Sequence, residues 1–146
     1  MDFDPITPGP TLGERVNENR KYTMNLSELV AGAIVAAPVE MKLIDLARLM
    51  EAEGVGSVAI LDDHDEFVGI VTDRDIVGAV ARNQGRGTTA GEIMTEAPDT
   101  IEIDTEVSDA VAWLNATGYR HLPVTDNGAL AGMVSIKDLL WAVAGQ

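Results

Sequence analysis

The sequence predicts an α/β (α+β) protein in which two β-α-β-β-α units pack together as a pseudo-two-fold pair. Three observations support this: an internal repeat, helical spacing of apolar residues in both copies, and a glycine after the first helix of each copy. Residues 54–62 align with residues 118–126 at an offset of 64, and residues 67–77 align with residues 130–140 at an offset of 63. One residue of the intervening turn, near His64, has no counterpart in the second copy.

Each copy opens with a short extended segment and an amphipathic helix. The extended segments lie around Ile34–Ala36 and Thr100–Ile103. Apolar residues then recur at helical spacing, namely Leu43, Leu46, Ala47 and Met50 in the first copy and Val107, Ala110, Val111 and Leu114 in the second. Gly54 and Gly118 follow these helices, at the place where glycine commonly ends a helix.

A hairpin and a second helix complete each copy. Runs rich in β-branched residues predict the strands Ser57–Leu61 and Phe67–Val71 in the first copy and His121–Thr125 and Leu130–Val134 in the second. The turns between them are rich in Asp, Asn and Gly, which suit hairpins. The closing helices carry apolar residues at Ile76, Val77 and Val80 and at Leu139, Leu140 and Val143.

The repeat also predicts the domain organisation. We expect a flexible extension at residues 1–24, a first repeat at 25–83, a polar linker at 84–89 and a second repeat at 90–146. A single unit of this size has a marginal core and leaves an apolar sheet face exposed. Two units packed against each other solve both problems.

The composition excludes several classes of function. The 10 Lys and Arg face 24 Asp and Glu, and the net charge of -14 disfavours binding to nucleic acid and to anionic membranes. There is no cysteine, and no apolar run approaches the roughly 20 residues that span a bilayer. The N-terminus lacks the basic and apolar regions of a secretion signal. We therefore expect a cytoplasmic protein without a nucleic-acid or membrane partner.

Two short motifs stand at equivalent positions in the copies. Thr72-x-x-Asp75 and Ser135-x-x-Asp138 each follow an apolar strand and open a helix. A hydroxyl followed three residues later by a carboxylate is a helix capping box, which needs no ligand. The same strand-to-helix turn presents free N–H groups and the positive end of a helix, which attract phosphate. Both interpretations stay open at this point.

Three stretches of the chain resemble a known family. GVGSVAILDDHDEFVGIVTDRDIVGAV and GYRHLPVTDNGALAGMVSIKDLLWAV resemble the later parts of consecutive CBS (cystathionine β-synthase) repeats, and TIEIDTEVSDAVAWL resembles the opening of the second repeat. The resemblance covers about residues 26–143. It implies a Bateman module of the stand-alone type, with two clefts between the repeats and commonly a disk-shaped homodimer.

The resemblance also implies a ligand class and its contacts. Family members bind AMP, ADP, ATP, S-adenosylmethionine or related adenosyl compounds, mostly as regulators, and no cofactor is required. The motif hydroxyls, Thr72 and Ser135, would contact phosphate or ribose. The motif carboxylates, Asp75 and Asp138, would accept hydrogen bonds from both ribose hydroxyls. We name the two sites the Asp75 cleft and the Asp138 cleft.

Further lining residues carry over from the family pattern. The Asp138 cleft would be lined by Val30, Ala33, Val35, Val55 and Gly56, a small apolar set that suits a flat base. The Asp75 cleft would be lined by Met94, Ala97, Asp99, Tyr119 and Arg120. In this second set the carboxylate of Asp99 would repel a nearby phosphate.

Basic residues at four positions are candidate phosphate ligands. Arg120 and His121 follow the glycine of the second copy, where the first copy has Gly56 and Ser57, so the resemblance implies two chemically unequal clefts. Arg74 and Lys137 lie inside the two motifs and either contact phosphate or point to solvent. The alternative is that Arg120 is an ordinary surface residue and that His121 packs within its strand, with no ligand contact for either.

Other functions have less support in the sequence. With no cysteine, only two histidines and no evident pairing of a nucleophile with a base, we expect no enzyme. His64 lies in an acidic turn without calcium-loop spacing, so we expect a solvated turn and no metal site. The remaining alternative is a constitutive dimerisation or interaction module without a small ligand. The sequence does not identify the regulated protein.

Overall fold

The computed structural model describes residues 24–30 and 34–144. The predicted extension, apart from Met24, and the predicted cleft residue Ala33 lie outside these ranges. Among the described residues, no helix combines the length and the apolar character needed to cross a membrane.

The two repeats share a succession of a short helical turn, a strand, a helix, a hairpin and a second helix, and the second repeat has one additional short strand after its opening helix. The first has a 3₁₀ turn at Leu26–Glu28, then β1 (Ala36–Pro38), α1 (Leu43–Glu53), β2 (Ser57–Leu61), β3 (Phe67–Thr72) and α2 (Asp73–Ala81). The second has α3 (Ala90–Ile93), β4 (Thr95–Glu96), β5 (Ile101–Glu102), α4 (Val107–Thr117), β6 (His121–Asp126), β7 (Ala129–Ser135) and α5 (Ile136–Ala144). The predicted α/β fold of two repeats is confirmed.

The strands form two sheets, with the orders β1-β2-β3-β4 and β5-β6-β7. Each sheet has a parallel pair, β1 with β2 or β5 with β6, followed by an antiparallel hairpin. The helices α1 and α4 end at Gly54 and Gly118, which have φ angles of 66° and 77°. These left-handed conformations favour glycine and release the chain into the next strand.

Two hydrophobic cores lie under the sheets, one in each half. The first contains Ala37, Leu46, Met50, Val58, Ile60, Val71 and Ala90, and the second contains Leu26, Val107, Ala110, Leu114, Leu122, Val124, Val134 and Leu139. Leu26 belongs to the first repeat and Ala90 to the second. Each repeat therefore contributes its opening segment to the core of the other repeat.

Backbone hydrogen bonds fix the opening segment of the first repeat onto the second. Leu26 N donates to Thr105 O at 2.9 Å, and Val107 N donates to Met24 O at 3.0 Å. The side chain of Leu26 is completely buried. Burial of a leucine contributes about 1.5–3 kcal/mol, so this short segment is a structural part of the second half.

The opening segment of the second repeat makes the equivalent contacts with the first repeat. Ala90 N donates to Met41 O at 2.7 Å, and Leu43 N donates to Thr88 O at 2.7 Å. Every donor and acceptor here is 64 positions from its counterpart in the other set. The pseudo-two-fold relation thus extends to individual backbone bonds.

Strand glycines allow the exchanged segments to approach closely. A Cβ atom at Gly69 would lie 2.6 Å from Met94 Sδ and 2.9 Å from Thr95 O. Its counterpart Gly132 faces Val30 in the same way, and a Cβ there would overlap the valine side chain. Both positions therefore require glycine because of packing rather than backbone conformation.

His121 lies where the two halves meet. Its side chain is 14% exposed, and a Cβ atom at Gly56 would lie 2.9 Å from its Cε1 atom, so the ring packs on the backbone of the other repeat. His121 Nε2 lies 4.0 Å from Asp73 Oδ1. Burial lowers the pKa of His121, and the nearby carboxylate of Asp73 opposes this only in part.

Replacing Leu26 tests the exchange of opening segments. Leu26→Ala should lower the free energy of unfolding by about 2–5 kcal/mol, the usual cost of removing a buried leucine side chain. Urea denaturation of the full chain measures the change. Glu28→Ala, at an exposed position of the same 3₁₀ turn, is the control. A loss for Leu26→Ala within about 0.5 kcal/mol of zero would show that this segment does not support the second core.

The lowered pKa of His121 predicts a pH dependence of stability. Between the pKa of the folded state and the ordinary value of 6.5, the unfolded chain binds the proton more readily, so stability rises with pH in this window. The contribution is present above pH 6.5 and is lost as the pH falls through the window. Urea denaturation from pH 7.5 to 5 should show a smaller decline for His121→Gln than for His64→Gln, whose ring is 77% exposed. Equal declines would refute the assignment.

Candidate functional site

Two clefts open at the boundary between the repeats, and each contains one of the two motifs. The Asp138 cleft has a volume of about 470 Å³. Seven lining residues were predicted from the sequence, either for this cleft or for its motif: Val30, Val35, Val55, Gly56, Ser135, Lys137 and Asp138. Its apolar residues pack on both hydrophobic cores, which places the cleft between the two halves.

The Asp75 cleft is smaller, with a volume of about 190 Å³. Six of its lining residues were predicted from the sequence: Thr72, Arg74, Asp75, Asp99, Tyr119 and Arg120. Thr95 and Pro98 complete the wall on the side of the exchanged segment. Three acidic residues, Asp73, Asp75 and Asp99, line this cleft, whereas Asp73 and Asp138 line the other, so the Asp75 cleft is the more acidic.

Met94 and Ala97 do not line the Asp75 cleft. Met94 packs against the first hydrophobic core beside Gly69, because β4 pairs with β3 and directs this side chain inward. Ala97 is exposed with a φ of 43°, and its N–H donates to Val68 O at 3.2 Å. Thr95, Pro98 and Asp99 of the same segment line the cleft, but the local backbone turns Met94 and Ala97 away from it.

The first motif forms a complete capping box. Asp75 N donates to Thr72 Oγ1 at 3.3 Å, while Asp75 Oδ2 accepts from Thr72 N at 2.8 Å and from Thr72 Oγ1 at 3.1 Å. These bonds begin α2 directly after β3. The capping interpretation of this motif therefore holds as a statement of local structure.

The second motif has the same geometry. Ser135 N donates to Asp138 Oδ2 at 3.0 Å, and Asp138 N donates to Ser135 Oγ at 3.1 Å. In both motifs the second carboxylate oxygen, Oδ1, accepts no hydrogen bond from the described residues. Capping thus occupies one oxygen of each aspartate, and each aspartate also lines its cleft.

Arg120 and His121 line both clefts, together with Asp73. The sequence placed Arg120 in the Asp75 cleft alone. The difference arises because β6 begins at the boundary of the repeats, so residues at its start reach both sides. The clefts are unequal in volume and in acidity, but both have access to the arginine.

Asp73 is a lining residue that the sequence analysis missed. It is the first residue of α2, and its N–H donates to Gly56 O at 2.9 Å, matching the bond from Ile136 N to Arg120 O at 2.8 Å. Its counterpart in the second copy is the apolar Ile136. This difference between Asp73 and Ile136, in otherwise similar motifs, could have marked Asp73 as a candidate cleft residue, as the difference between Arg120 and Gly56 did for Arg120.

An aromatic pair borders the Asp75 cleft. The rings of Trp113 and Tyr119 have centroids 5.6 Å apart and are tilted by 38°. Tyr119 is half exposed and lines the cleft, while Trp113 packs on the second core. The contact supports Tyr119 from behind and holds its ring at the cleft wall.

The acidic turn of the first hairpin is organised by its own backbone. Asp62 Oδ1 accepts from Glu66 N at 2.9 Å and from His64 N at 2.8 Å. These two hydrogen bonds lower the pKa of Asp62. Ligand atoms of Asp62, Asp63 and His64 lie within 4.8 Å of one another, but Asp63 and His64 are exposed. The observed role of Asp62 is to hold the turn.

Comparison with known proteins bears on this architecture. The CBS domain family matches residues 26–82 and 90–145. An uncharacterized protein of Methanopyrus kandleri is 39% identical over 111 residues, which are 73% of this chain and 56% of the relative. The chain thus spans little more than half the length of that relative.

Solved structures share the fold. A CBS domain protein from Pyrobaculum aerophilum complexed with AMP is 26% identical, with a TM-score of 0.74 over 84% of this chain and all of the other. The CBS domain pair of protein MJ0100, in complex with 5-methylthioadenosine and S-adenosyl-L-methionine, is 23% identical, with a TM-score of 0.77 over 84% of this chain and 98% of the other, a likeness of fold alone. With the family matching both repeats, this chain belongs to the CBS domain family as a tandem pair of CBS repeats.

Proposed function

We propose that this chain is a regulatory module that binds an adenosine-containing ligand of the AMP, ADP, ATP and S-adenosylmethionine class. The observation that carries the proposal is the pair of capped strand-to-helix turns, each of which offers a cleft one carboxylate oxygen not used in capping. The similarity to an AMP-bound CBS protein at 26% identity supports this ligand class.

The chemistry of each cleft fits the parts of an adenosine nucleotide. The free oxygens of Asp75 and Asp138 accept hydrogen bonds from ribose hydroxyls, which are charge-assisted and therefore strong. Apolar residues of the Asp138 cleft, Val30, Val35 and Val55, provide the flat surface that a base requires. Arg120 supplies a guanidinium suited to phosphate oxygens.

Regulation follows from the position of the clefts between the two halves. A ligand that contacts both repeats favours the arrangement of the halves in which those contacts form, and so shifts the population of conformations. No chemical step is required of the protein. We expect binding without turnover, because the chain has no cysteine and only two histidines.

Nucleotide binding to matched variants tests the proposal. AMP at one hundred times its Kd should stabilise the chain by about 2.7 kcal/mol, seen as a raised Tm in a thermal shift measurement. Asp75→Asn and Asp138→Asn keep a capping oxygen but lose the charge, so each should weaken AMP binding in its own cleft by about tenfold or more. 2′-Deoxy-AMP should bind the unmodified chain more weakly, because it lacks one ribose hydroxyl.

The control is Asp109→Asn, since Asp109 is an exposed acid in the first turn of α4 and lines neither cleft. Each variant is compared with its own ligand-free Tm, which separates capping from binding. A Tm that does not change at millimolar AMP, ADP, ATP or S-adenosylmethionine would refute the sensor function. It would favour instead a constitutive dimerisation module.

The homodimer is a second part of the proposal. Two helices expose large apolar side chains: Val77 and Val80 on α2 are 67% and 64% exposed, and Leu140, Trp141 and Val143 on α5 are 55%, 72% and 49% exposed. Val77 corresponds to Leu140 and Val80 to Val143 in the repeat. Such related apolar surfaces suit a self-complementary two-fold interface, and a second copy of this chain would cover them.

Charged substitutions on these helices test the dimer. Val77→Glu combined with Trp141→Glu should shift the chain from dimer to monomer, because burying two carboxylates in an apolar interface is costly. Sedimentation equilibrium measures the mass of each variant. Glu66→Lys, an exposed substitution in the hairpin turn, should leave the mass unchanged. A monomeric parent chain, or a double variant that stays dimeric, would refute the assignment of this surface.

A further inference from the structure

Three side chains, Asp73, Arg120 and His121, line both clefts. Their counterparts in the other repeat line the Asp138 cleft alone, namely Ile136, Gly56 and Ser57. The backbone around the boundary is nearly symmetric, but only one of each pair of equivalent positions carries a charged or titratable side chain. The clefts therefore share these groups instead of each having its own.

Arg120 is the shared group with the strongest consequence for an anionic ligand. It is exposed, and it forms no ion pair within the ranges that the structure describes. Each cleft also has a basic residue of its own, Lys137 in the Asp138 cleft and Arg74 in the Asp75 cleft. One guanidinium thus serves two places where a phosphate could lie.

The two clefts depend on Arg120 to different degrees. The Asp138 cleft has two carboxylates, Asp73 and Asp138, whereas the Asp75 cleft has three, Asp73, Asp75 and Asp99. A phosphate entering the smaller and more acidic cleft therefore meets more repulsion. It needs the positive charge of Arg120 more than a phosphate in the larger cleft does.

We propose that Arg120 makes the two clefts compete for anionic adenosine ligands, so that a nucleotide in the Asp138 cleft weakens binding of a second one in the Asp75 cleft. The inference rests on the proposed function. Two phosphates around one guanidinium repel each other and must divide its fixed set of donors, so Arg120 serves one phosphate fully or two poorly. The second nucleotide therefore binds without the charged hydrogen bonds of Arg120, a loss of about tenfold in affinity. Adenosine has no phosphate, so its binding does not require Arg120.

Calorimetric titration with AMP distinguishes competition from two sites that merely differ in affinity. In Asp138→Asn the larger cleft is weakened, which leaves Arg120 free to serve the Asp75 cleft. We expect the Asp75 cleft of this variant to bind AMP about tenfold more tightly than the second AMP of the parent chain. Adding Arg120→Gln should abolish this gain. In titrations with adenosine, Asp138→Asn should produce no gain.

The other possible results separate this inference from the proposed function. Equal affinities for the second AMP of the parent chain and for the Asp75 cleft of Asp138→Asn would show independent clefts and overturn the inference, while the proposed function would stand. A gain that persists with Arg120→Gln, or that appears with adenosine, would overturn the role of Arg120 and its phosphate contact. Absence of any AMP binding to the parent chain would overturn both the inference and the AMP ligand.

Discussion

The reciprocal exchange of opening segments is the constraint on which the rest of the structure depends. Leu26 fills the second core and Ala90 fills the first, and the same two backbone hydrogen bonds occur on each side at an offset of 64. Each half would otherwise have a small core with an incomplete edge. The exchange therefore makes the two repeats one folding unit, and it brings the segment of one repeat against the sheet of the other, where the clefts form.

The capping boxes connect folding with binding in the same residues. Asp75 and Asp138 each use one oxygen to begin a helix, and that bond fixes the direction of the other oxygen. A carboxylate that is held in place by the backbone loses little side-chain entropy when it binds a ribose. The alternative of capping or binding, which the motif alone left open, is thus not an exclusive one. The local structure permits both.

The sequence predicted the repeat, the order of the elements and the glycines that end α1 and α4, because these depend on local patterning. It did not predict which core each opening segment fills. Alignment of two copies shows that Leu26 and Ala90 are equivalent, but equivalence does not say whether a segment packs on its own repeat or on the other one. Met94 was misplaced for the same reason, since its direction depends on pairing between β4 and β3 across the repeats.

The same distinction between backbone and side chains governs the two clefts. Exchange gives the chain two similar clefts, while a few substitutions at the boundary make them chemically different. Gly56 faces His121, and the residue after the motif hydroxyl is Asp73 in one copy but Ile136 in the other. Because Asp73 and His121 lie at the boundary between the repeats, each of them lines both clefts. A substitution at this boundary therefore changes both clefts, whereas a substitution at Lys137 or Arg74, which line one cleft each, changes only one of them.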